Sequence, residues 1–242
     1  MSQSSDNIPN GFIAPQTAYG EWNKTNFQIQ QLLAKMQTSI PVQVVRCTND
    51  GGVSPVGLVD IMPMVNQVDA AGNPIKHATI FNVPYVRIQG GNNAIIIDPE
   101  PGDIGIAHFA SRDISKIKST KKPGNPGSAR QYSFSDAMYT GGMLNGTPTQ
   151  YMQFSADGIV INSPTMVQAN VNDNTVTLDG AQCEINIGGS TLVMQGGKFE
   201  VTLFGQTLLM DGTGLWHNGV NIGSTHKHSG VVVGPSNTGN PI

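Results

Sequence analysis

The sequence has few charged residues for its length. Asp, Glu, Lys and Arg make up 12% of the 242 residues, where a typical soluble domain has about 25%. A disordered chain that stays soluble through its charge is therefore excluded. The apolar share of 38% is also low for a single compact core, while 29 residues are glycine. This balance favours an elongated β-structure with many turns, or a subunit whose core is completed by copies of itself.

The chain also lacks cysteine pairs, an excess of positive charge and long apolar runs. Cys47 and Cys183 have no metal or redox spacing around them, so both are interpreted as ordinary thiols. A net charge of -3 gives no sign of the basic surface that DNA or RNA binding requires, so no nucleic-acid partner is expected. No apolar run reaches the ~20 residues that span a bilayer, and the first residues carry no secretory signal. Assembly in the cytoplasm is expected.

One helix is predicted, over Glu21 to Thr38, after a polar arm at residues 1–18. Residues 1–39 thus form an N-terminal arm and helix, which Pro41 is expected to end. Apolar residues recur in the helix at i, i+3, i+4 and i+7. They are Ile29, Leu32, Leu33 and Met36. We expect this stripe to pack on the domain that follows; the alternative is docking onto a partner ring or a neighbouring subunit.

Residues 40–118 have the pattern of a small β-barrel. Apolar runs separated by turn signals such as Asp50-Gly51-Gly52 predict five to six strands in this short segment. The runs are Pro41–Arg46, Val56–Val65, Val83–Ile88, Ala94–Ile97 and Ile104–Ala110, of which Ala94–Ile97 is interpreted as buried. Such a count fits an OB-type barrel better than a two-sheet sandwich.

Much of the positive charge lies around residues 119–150. The cations are Lys116, Lys118, Lys121, Lys122 and Arg130. Binding of phosphate or of an anionic partner is one interpretation of this run. Because no aromatic residue interleaves with the lysines, we interpret 119–150 as a solvated linker instead.

The sequence pattern changes in residues 151–222, where short predicted strands alternate with two-residue turn signals. Apolar and polar residues alternate within the strands, as in Thr175 to Leu178, so each strand has one dry and one wet face. The turn pairs are Asp157-Gly158, Asp179-Gly180, Gly188-Gly189, Gly196-Gly197, Asp211-Gly212 and Asn218-Gly219. The segment is too narrow to close a core alone. Three chains, each contributing one wall of a triangular prism, would bury the dry faces, so a homotrimer is predicted.

Two histidines near the C-terminus, His226 and His228, are the candidate metal ligands. In an extended backbone, side chains two residues apart point to the same face, so both imidazoles can aim at one point. One chain offers two nitrogen ligands, and a trimer about its own axis offers six. Six imidazole nitrogens suit an octahedral ion such as Fe²⁺, Co²⁺ or Ni²⁺, whereas zinc prefers four ligands.

In this order, the features resemble the central spike proteins of contractile phage tails, which puncture the membrane from the tip of the baseplate. In the barrel the likeness rests on Pro41–Val45, Val83–Val86 and Asp98–Gly105, and after it on Arg130 with Ser135–Ala137. At the tip, residues 223–242, it rests on Thr225–Gly230 followed by a tail that contains Gly-Pro-Ser-Asn-Thr-Gly. The likeness covers nearly the whole chain.

The resemblance implies an all-β trimer with an OB-fold collar and an intertwined β-helix that tapers to a metal-capped apex. It implies one Fe(II) per trimer, held by His226 and His228 of three chains. It also implies a virion protein of the tail baseplate, docked to the hub or tail tube through the OB domain. The work of this family is mechanical: sheath contraction drives the spike through the host outer membrane.

A lysozyme domain, which some tail spikes carry between collar and needle, does not fit in the short gap here. The other histidines, His77, His108 and His217, match no tip motif and are interpreted as loop or core residues.

The alternative function is a β-helical tailspike that binds or degrades polysaccharide. Degradation needs paired carboxylates that converge on a groove. Asp157, Asp179 and Asp211 instead sit in Asp-Gly turns, where Asp has a local backbone role. No catalytic or cofactor-binding residue is therefore predicted, and the protein is expected not to be an enzyme. Nucleic-acid binding would have to use Phe81 and Tyr85 with two arginines, Arg46 and Arg87; docking of the barrel to a hub is favoured over it.

Overall fold

The computed structural model describes residues 20–69, 71–230 and 234. It is mostly β, as expected from the sequence, and forms two compact units divided between Gly146 and Thr147. The predicted arm at residues 1–18 and most of the C-terminal tail lie outside the described residues. Among the residues described, no helix combines the length and apolarity that a bilayer crossing requires.

The described residues of the first unit form two α-helices and nine strands. They are α1 (Glu21–Ala34), β1 (Ser39–Cys47), β2 (Leu58–Pro63), β3 (Gln67–Val68), β4 (Pro74–Ile75), β5 (Ile80–Pro84), β6 (Ile88–Gly90), β7 (Asn93–Ile95), β8 (Ile104–Phe109), α2 (Ser115–Thr120) and β9 (Ala137–Gly141), with a 3₁₀ turn at Phe134–Asp136 before β9. Five strands form an antiparallel sheet in the order β5-β2-β1-β8-β9, and the short hairpins β3–β4 and β6–β7 are separate.

The sheet curls until its two edge strands meet. Tyr85, just after β5, forms a parallel bridge with Tyr139 of β9, and the Val86 N–H donates to the Tyr139 carbonyl at 3.0 Å. Ten buried apolar residues fill the interior: Val42, Val44, Val59, Ile61, Val83, Tyr85, Ala107, Phe109, Ala137 and Tyr139. Gly105 and Gly141 face each other across β8 and β9, and a Cβ on Gly105 would come within 2.6 Å of the Tyr139 ring. The missing side chain therefore makes room for that aromatic ring.

The helix α1 is shorter than predicted. It ends at Ala34 because the backbone N–H groups of Lys35 and Met36 turn back to the carbonyls of Leu32 and Leu33, and Ser39 already begins strand β1. Pro41 therefore lies inside a strand and does not end the helix. No residue of α1 is buried, so its apolar stripe is uncovered among the described residues, against our expectation that it packs on the next domain.

Two further segments differ from the prediction. Residues 119–150, interpreted as a linker, include β9, which pairs with β8 and belongs to the first sheet beyond residue 118. The run Ala94–Ile97, interpreted as buried, overlaps an exposed hairpin in which Ile95 and Ile97 are mostly accessible. In both cases the local pattern could not say which neighbour a segment would meet.

The second unit contains only strands and turns among its described residues. The strands are β10 (Tyr151–Ser155), β11 (Gly158–Asn162), β12 (Met166–Val171), β13 (Asn174–Asp179), β14 (Gln182–Ile187), β15 (Ser190–Gln195), β16 (Lys198–Leu203), β17 (Gln206–Asp211), β18 (Gly214–His217) and β19 (Val220–Asn221). Strands β10 and β11 form a hairpin, and β12 to β19 form one antiparallel meander in chain order. All six predicted turn pairs lie at strand ends; the turns at Asn172-Asp173 and Phe204-Gly205 were not anticipated.

The meander has one apolar and one polar face. Direct cross-strand partners project to the same face of a sheet, so the register defines transverse rows. One apolar row is Ala169, Val176, Ile185, Leu192, Val201 and Leu208, and a second is Val167, Leu178, Cys183, Met194, Phe199, Met210 and Leu215. The opposite face has a row of mixed polarity, which lies in register between the two apolar rows. It also has a fully polar row: Asn170, Thr175, Asn186, Thr191, Thr202 and Thr207.

The apolar face of β12–β19 is uncovered. No described residue of the second unit is buried, and Leu178, Met194 and Met210 are each more than half exposed. Strands this regular, with one apolar face left to water, are incomplete as a folded unit because the hydrophobic contribution to stability comes from covering that face.

Candidate metal centre

The segment that carries His226 and His228 follows the last strand of the meander. Asn221, at the end of β19, organises it with both side-chain groups: its Oδ1 accepts the Gly223 N–H at 2.8 Å, and its Nδ2 donates to Thr225 Oγ1 at 3.1 Å. The Ile222 N–H donates to the Leu215 carbonyl at 2.8 Å, which anchors the segment to β18. The turn continues with the His226 N–H donating to the Gly223 carbonyl at 3.1 Å.

The two imidazoles come together, as the spacing predicts. The Nε2 atoms of His226 and His228 are 3.2 Å apart, and the ring centroids are 5.0 Å apart with the rings nearly perpendicular, at 83°. The Nδ1 of His226 lies 2.6 Å from the Gly223 carbonyl oxygen. A carbonyl can only accept, so Nδ1 carries the proton and Nε2 of the neutral ring presents its lone pair.

This arrangement fits a metal ligand pair. Histidines that bind metals usually donate the other ring N–H to a carbonyl or carboxylate, which fixes the tautomer, and Gly223 supplies that acceptor for His226. A nitrogen–nitrogen edge of 3.2 Å corresponds to metal–nitrogen bonds of about 2.3 Å in an octahedron and about 2.0 Å in a tetrahedron. The edge therefore suits either geometry, and the number of ligands decides between them.

One chain does not complete such a site. Within the described residues, no group of three His, Cys, Asp or Glu side chains is placed to hold a metal. Two imidazoles leave at least two coordination positions of any transition metal to be filled from elsewhere. The role of His226 and His228 as metal ligands thus stays a prediction, and further copies of the chain are the expected source of the missing ligands.

Two of the remaining histidines have local partners in the first unit. His77 packs against Phe134 with ring centroids 5.2 Å apart, and His108 Nδ1 lies 3.0 Å from Ser39 Oγ. His217 differs, because it ends strand β18 opposite Leu208 of β17. The sequence offered a signal for this placement, since Leu215 and His217 are two residues apart in a strand and therefore share a face.

The carboxylates of two Asp-Gly turns in the meander have the backbone role that was predicted. Asp179 Oδ1 accepts the N–H groups of Ala181 and Gln182, and Asp211 Oδ1 accepts those of Thr213 and Gly214. Backbone hydrogen bonds lower the pKa of Asp179; the hydrogen bonds from Thr213 lower the pKa of Asp211. A carboxylate whose pKa is lowered is a poor general acid.

The first unit contains a buried ion pair that the sequence did not suggest. The Arg87 guanidinium is 2.5 Å from Asp98 Oδ1, with both side chains almost fully buried, and the Tyr85 hydroxyl donates to the same oxygen at 2.6 Å. Burial first, and then this hydrogen bond, raise the pKa of Tyr85 to about 12. Tyr85 and Arg87, which the nucleic-acid alternative required on a surface, are therefore part of the interior, and Arg46 pairs with Asp60.

A second buried network connects the segment before β9 to the rest of the first unit. Asp136 is fully buried and accepts Arg130 Nε at 2.7 Å and Arg130 Nη2 at 2.9 Å. Arg130 Nη2 also lies 3.0 Å from Asp113, and the Ile114 N–H donates to Asp136 at 3.0 Å. The hydrogen bonds from Arg130 lower the pKa of Asp136. This network gives the segment interpreted as a linker a fixed structure.

The chain was also compared with known proteins. No protein-family model matches it, and no curated protein matches it either. The candidate metal centre therefore stands on its own geometry and on the pattern of the sheet that precedes it.

Proposed function

We propose that the protein is the homotrimeric central spike of a contractile phage tail or a related tail particle, which pierces the host outer membrane mechanically. The single observation that carries the proposal is the uncovered apolar face of β12–β19. The pair His226 and His228 beyond the end of that sheet supports it, because their Nε2 atoms converge on one point.

The dimensions of the meander suit three walls around an axis. A strand of six residues is about 20 Å long, and a triangular prism with sides of about 20 Å places each wall about 6 Å from its axis. That distance is close to half of the ~10 Å by which packed sheets are separated, so apolar side chains from three walls would fill the interior. Four walls of the same width would stand about 10 Å from the axis and leave a hole. Eight strands at about 4.8 Å spacing give a wall roughly 34 Å tall.

In this proposal the needle is the intertwined trimeric β-structure, and the first unit is an OB-type collar. The collar docks to the baseplate hub or tail tube. The exposed apolar residues of α1, including Leu32 and Leu33, and those of the β6–β7 hairpin, including Ile88, are surfaces available for such docking. The buried networks of Arg87 and Arg130 give the collar a rigid interior through which force can pass.

At the apex, His226 and His228 of three chains hold one metal ion, for which Fe(II) is proposed. Six imidazole nitrogens complete an octahedron and leave no position open for a substrate. The ion is therefore a structural clasp that keeps three glycine-rich ends together. In small units that fold around a metal, the bound ion contributes on the order of 10 kcal/mol to folding. A contribution of this size would keep the three chain ends together at a narrow tip.

The trimer is tested first, by native mass spectrometry and sedimentation of the full-length protein. A trimer at micromolar concentration is expected, and a folded monomer or a dimer would contradict the proposal. A dimer is the informative rival, because two amphipathic sheets can also pack face to face.

The clasp is tested by elemental analysis of the purified trimer. One metal ion per trimer is expected, and the double variant His226→Ala/His228→Ala should lose it. Unchanged metal content in that variant would show that the assignment of the ligands is wrong. Turnover of host surface polysaccharide by the pure protein would instead favour the alternative, a tailspike that degrades its receptor.

A further inference from the structure

One apolar transverse row of the meander contains a histidine next to its last residue. The row Ala169, Val176, Ile185, Leu192, Val201 and Leu208 continues to His217 of β18, the direct partner of Leu208, and then to Val220 of β19. His217 therefore projects from the apolar face. On the six-residue strands β12 to β17 this row is the middle one of three on the same face, the third being Val171, Asn174, Ile187, Ser190, Leu203 and Gln206. In a three-walled prism the middle row faces the axis, and His217, the last residue of the four-residue strand β18, continues that row.

The His217 side chain has no local partner. Among the described residues it makes no hydrogen bond and no ion pair, and its cross-strand neighbours are Leu208 and Val220, both apolar. If the apolar face is covered in a trimer, the His217 imidazole loses its hydrogen bonds to water and needs another partner. The other two described histidines of the second unit, His226 and His228, are occupied with each other and with Gly223.

Resting on the trimer proposed above, we propose that His217 of the three chains forms a second axial metal site, separate from the apex. Three imidazoles converging on a three-fold axis are the His₃ ligand set that binds Zn²⁺ or Co²⁺ in a tetrahedral site, with the fourth position taken by water or an anion. This site differs in chemistry from the apex pair, which supplies six nitrogens and favours an octahedral ion.

The reach of the side chain agrees with the width of the wall. A His side chain extends about 4.5 Å from Cα to Nε2, and a metal–nitrogen bond adds about 2.0–2.1 Å, for a total of about 6–7 Å. The estimated distance to the axis from β17, the six-residue strand that pairs with β18, is about 6 Å. An aliphatic side chain at this position would fill the axis but could not share an ion.

The experiment uses the full-length variant His226→Ala/His228→Ala, so that the apex no longer contributes metal. Each protein is first confirmed as a trimer by native mass spectrometry and is then titrated with Co²⁺ alone. The apex-deleted trimer is expected to bind one Co²⁺ per trimer with the intense visible bands of four-coordinate cobalt, which six-coordinate cobalt lacks. Adding His217→Leu, which continues the apolar row, should abolish those bands while the trimer is kept.

A matched control is His108→Gln in the same apex-deleted background. His108 lies within hydrogen-bond distance of Ser39 in the first unit and is not part of the proposed site, so this change should leave the cobalt spectrum unaltered. If the apex-deleted protein is a trimer but takes up no Co²⁺, or if His217→Leu retains the four-coordinate bands, the second site does not exist. If instead the wild-type protein is not a trimer, it is the proposed function that fails, and the native mass reports this separately.

Discussion

The two units of this protein use the same kind of strand but complete their cores in different ways. The first unit curls a five-stranded sheet until its edges meet at Tyr85 and Tyr139, and ten apolar residues become buried inside it. In the described residues of the second unit, a longer sheet has edge strands β12 and β19 that do not pair with each other, and no residue is buried. A regular amphipathic pattern is thus enough to form strands, but a closed core needs either curvature within the chain or a second surface from outside it.

The largest effect on the proposed trimer is expected from a charge in the middle apolar row of the meander, which contains Val201. Val201→Asp would place one carboxylate per chain on the proposed axis, and burying an unpaired charge costs several kcal/mol for each copy. We expect loss of the trimer in native mass spectrometry, while the first unit keeps its fold as judged by hydrogen exchange. The control is Thr202→Asp, one residue away on the polar face, which should assemble normally. A stable Val201→Asp trimer would contradict the covered-face interpretation.

The first unit should respond instead to loss of the ion pair between the half-buried Arg130 and the fully buried Asp136. Asp136→Asn preserves the shape of the side chain but leaves the Arg130 guanidinium without its bidentate partner. Because Arg130 is partly exposed and keeps Asp113 as a partner, the cost should be below that of a fully buried pair, about 1–2 kcal/mol. Urea denaturation should show this loss in the unfolding transition of the first unit alone. An equal loss in both units would mean that they unfold together.

Acid should destabilise the first unit through the same carboxylates. The pKa of Asp136 is lowered by Arg130, and that of Asp113 is lowered by hydrogen bonds from Ser115 and Ser128. A lowered pKa in the folded state contributes stability above the unfolded pKa of about 3.9, and this contribution is lost as the pH falls towards the folded values. Stability measured from pH 6 down to pH 2 should therefore fall below about pH 4. The fall should be shallower in Asp136→Asn, and an identical slope would exclude this carboxylate as a cause.

The smallest effect is expected at a hairpin turn of the meander. Phe204 adopts a left-handed conformation with φ 48° in the two-residue turn before Gly205 and is 95% exposed. A bulky residue is disfavoured there, whereas Asn-Gly is the preferred pair, as at Asn218-Gly219. Phe204→Asn should stabilise the second unit by up to about 1 kcal/mol in thermal unfolding. Phe204→Leu keeps the bulky side chain and should give no gain; a loss in Phe204→Asn would mean that the ring has a partner.

More of the candidate metal site than of the first unit's ion-pair network could be predicted from the sequence. The spacing of His226 and His228 was sufficient to bring the imidazoles together, because two residues of extended chain share a face. Asn221, which shapes the turn that holds them, had no such signal, since its two hydrogen bonds depend on where β19 ends. Likewise the pairing of Arg87 with Asp98 joins residues from separate loops, which no local pattern encodes.

The sequence by itself determined the alternating strands of residues 151–222 and six of their turns, because alternation and Asp-Gly, Asn-Gly or Gly-Gly pairs are local properties of the chain. It missed the turns at Asn172-Asp173 and Phe204-Gly205. It also determined which side of each strand is apolar. Only the tertiary structure decided that β12 to β19 lie in chain order in one sheet, that their apolar residues align in rows, and that His217 lies in one of these rows. The physical reason is register: which residues face each other across strands is decided by pairing between segments, and pairing is a property of the folded chain.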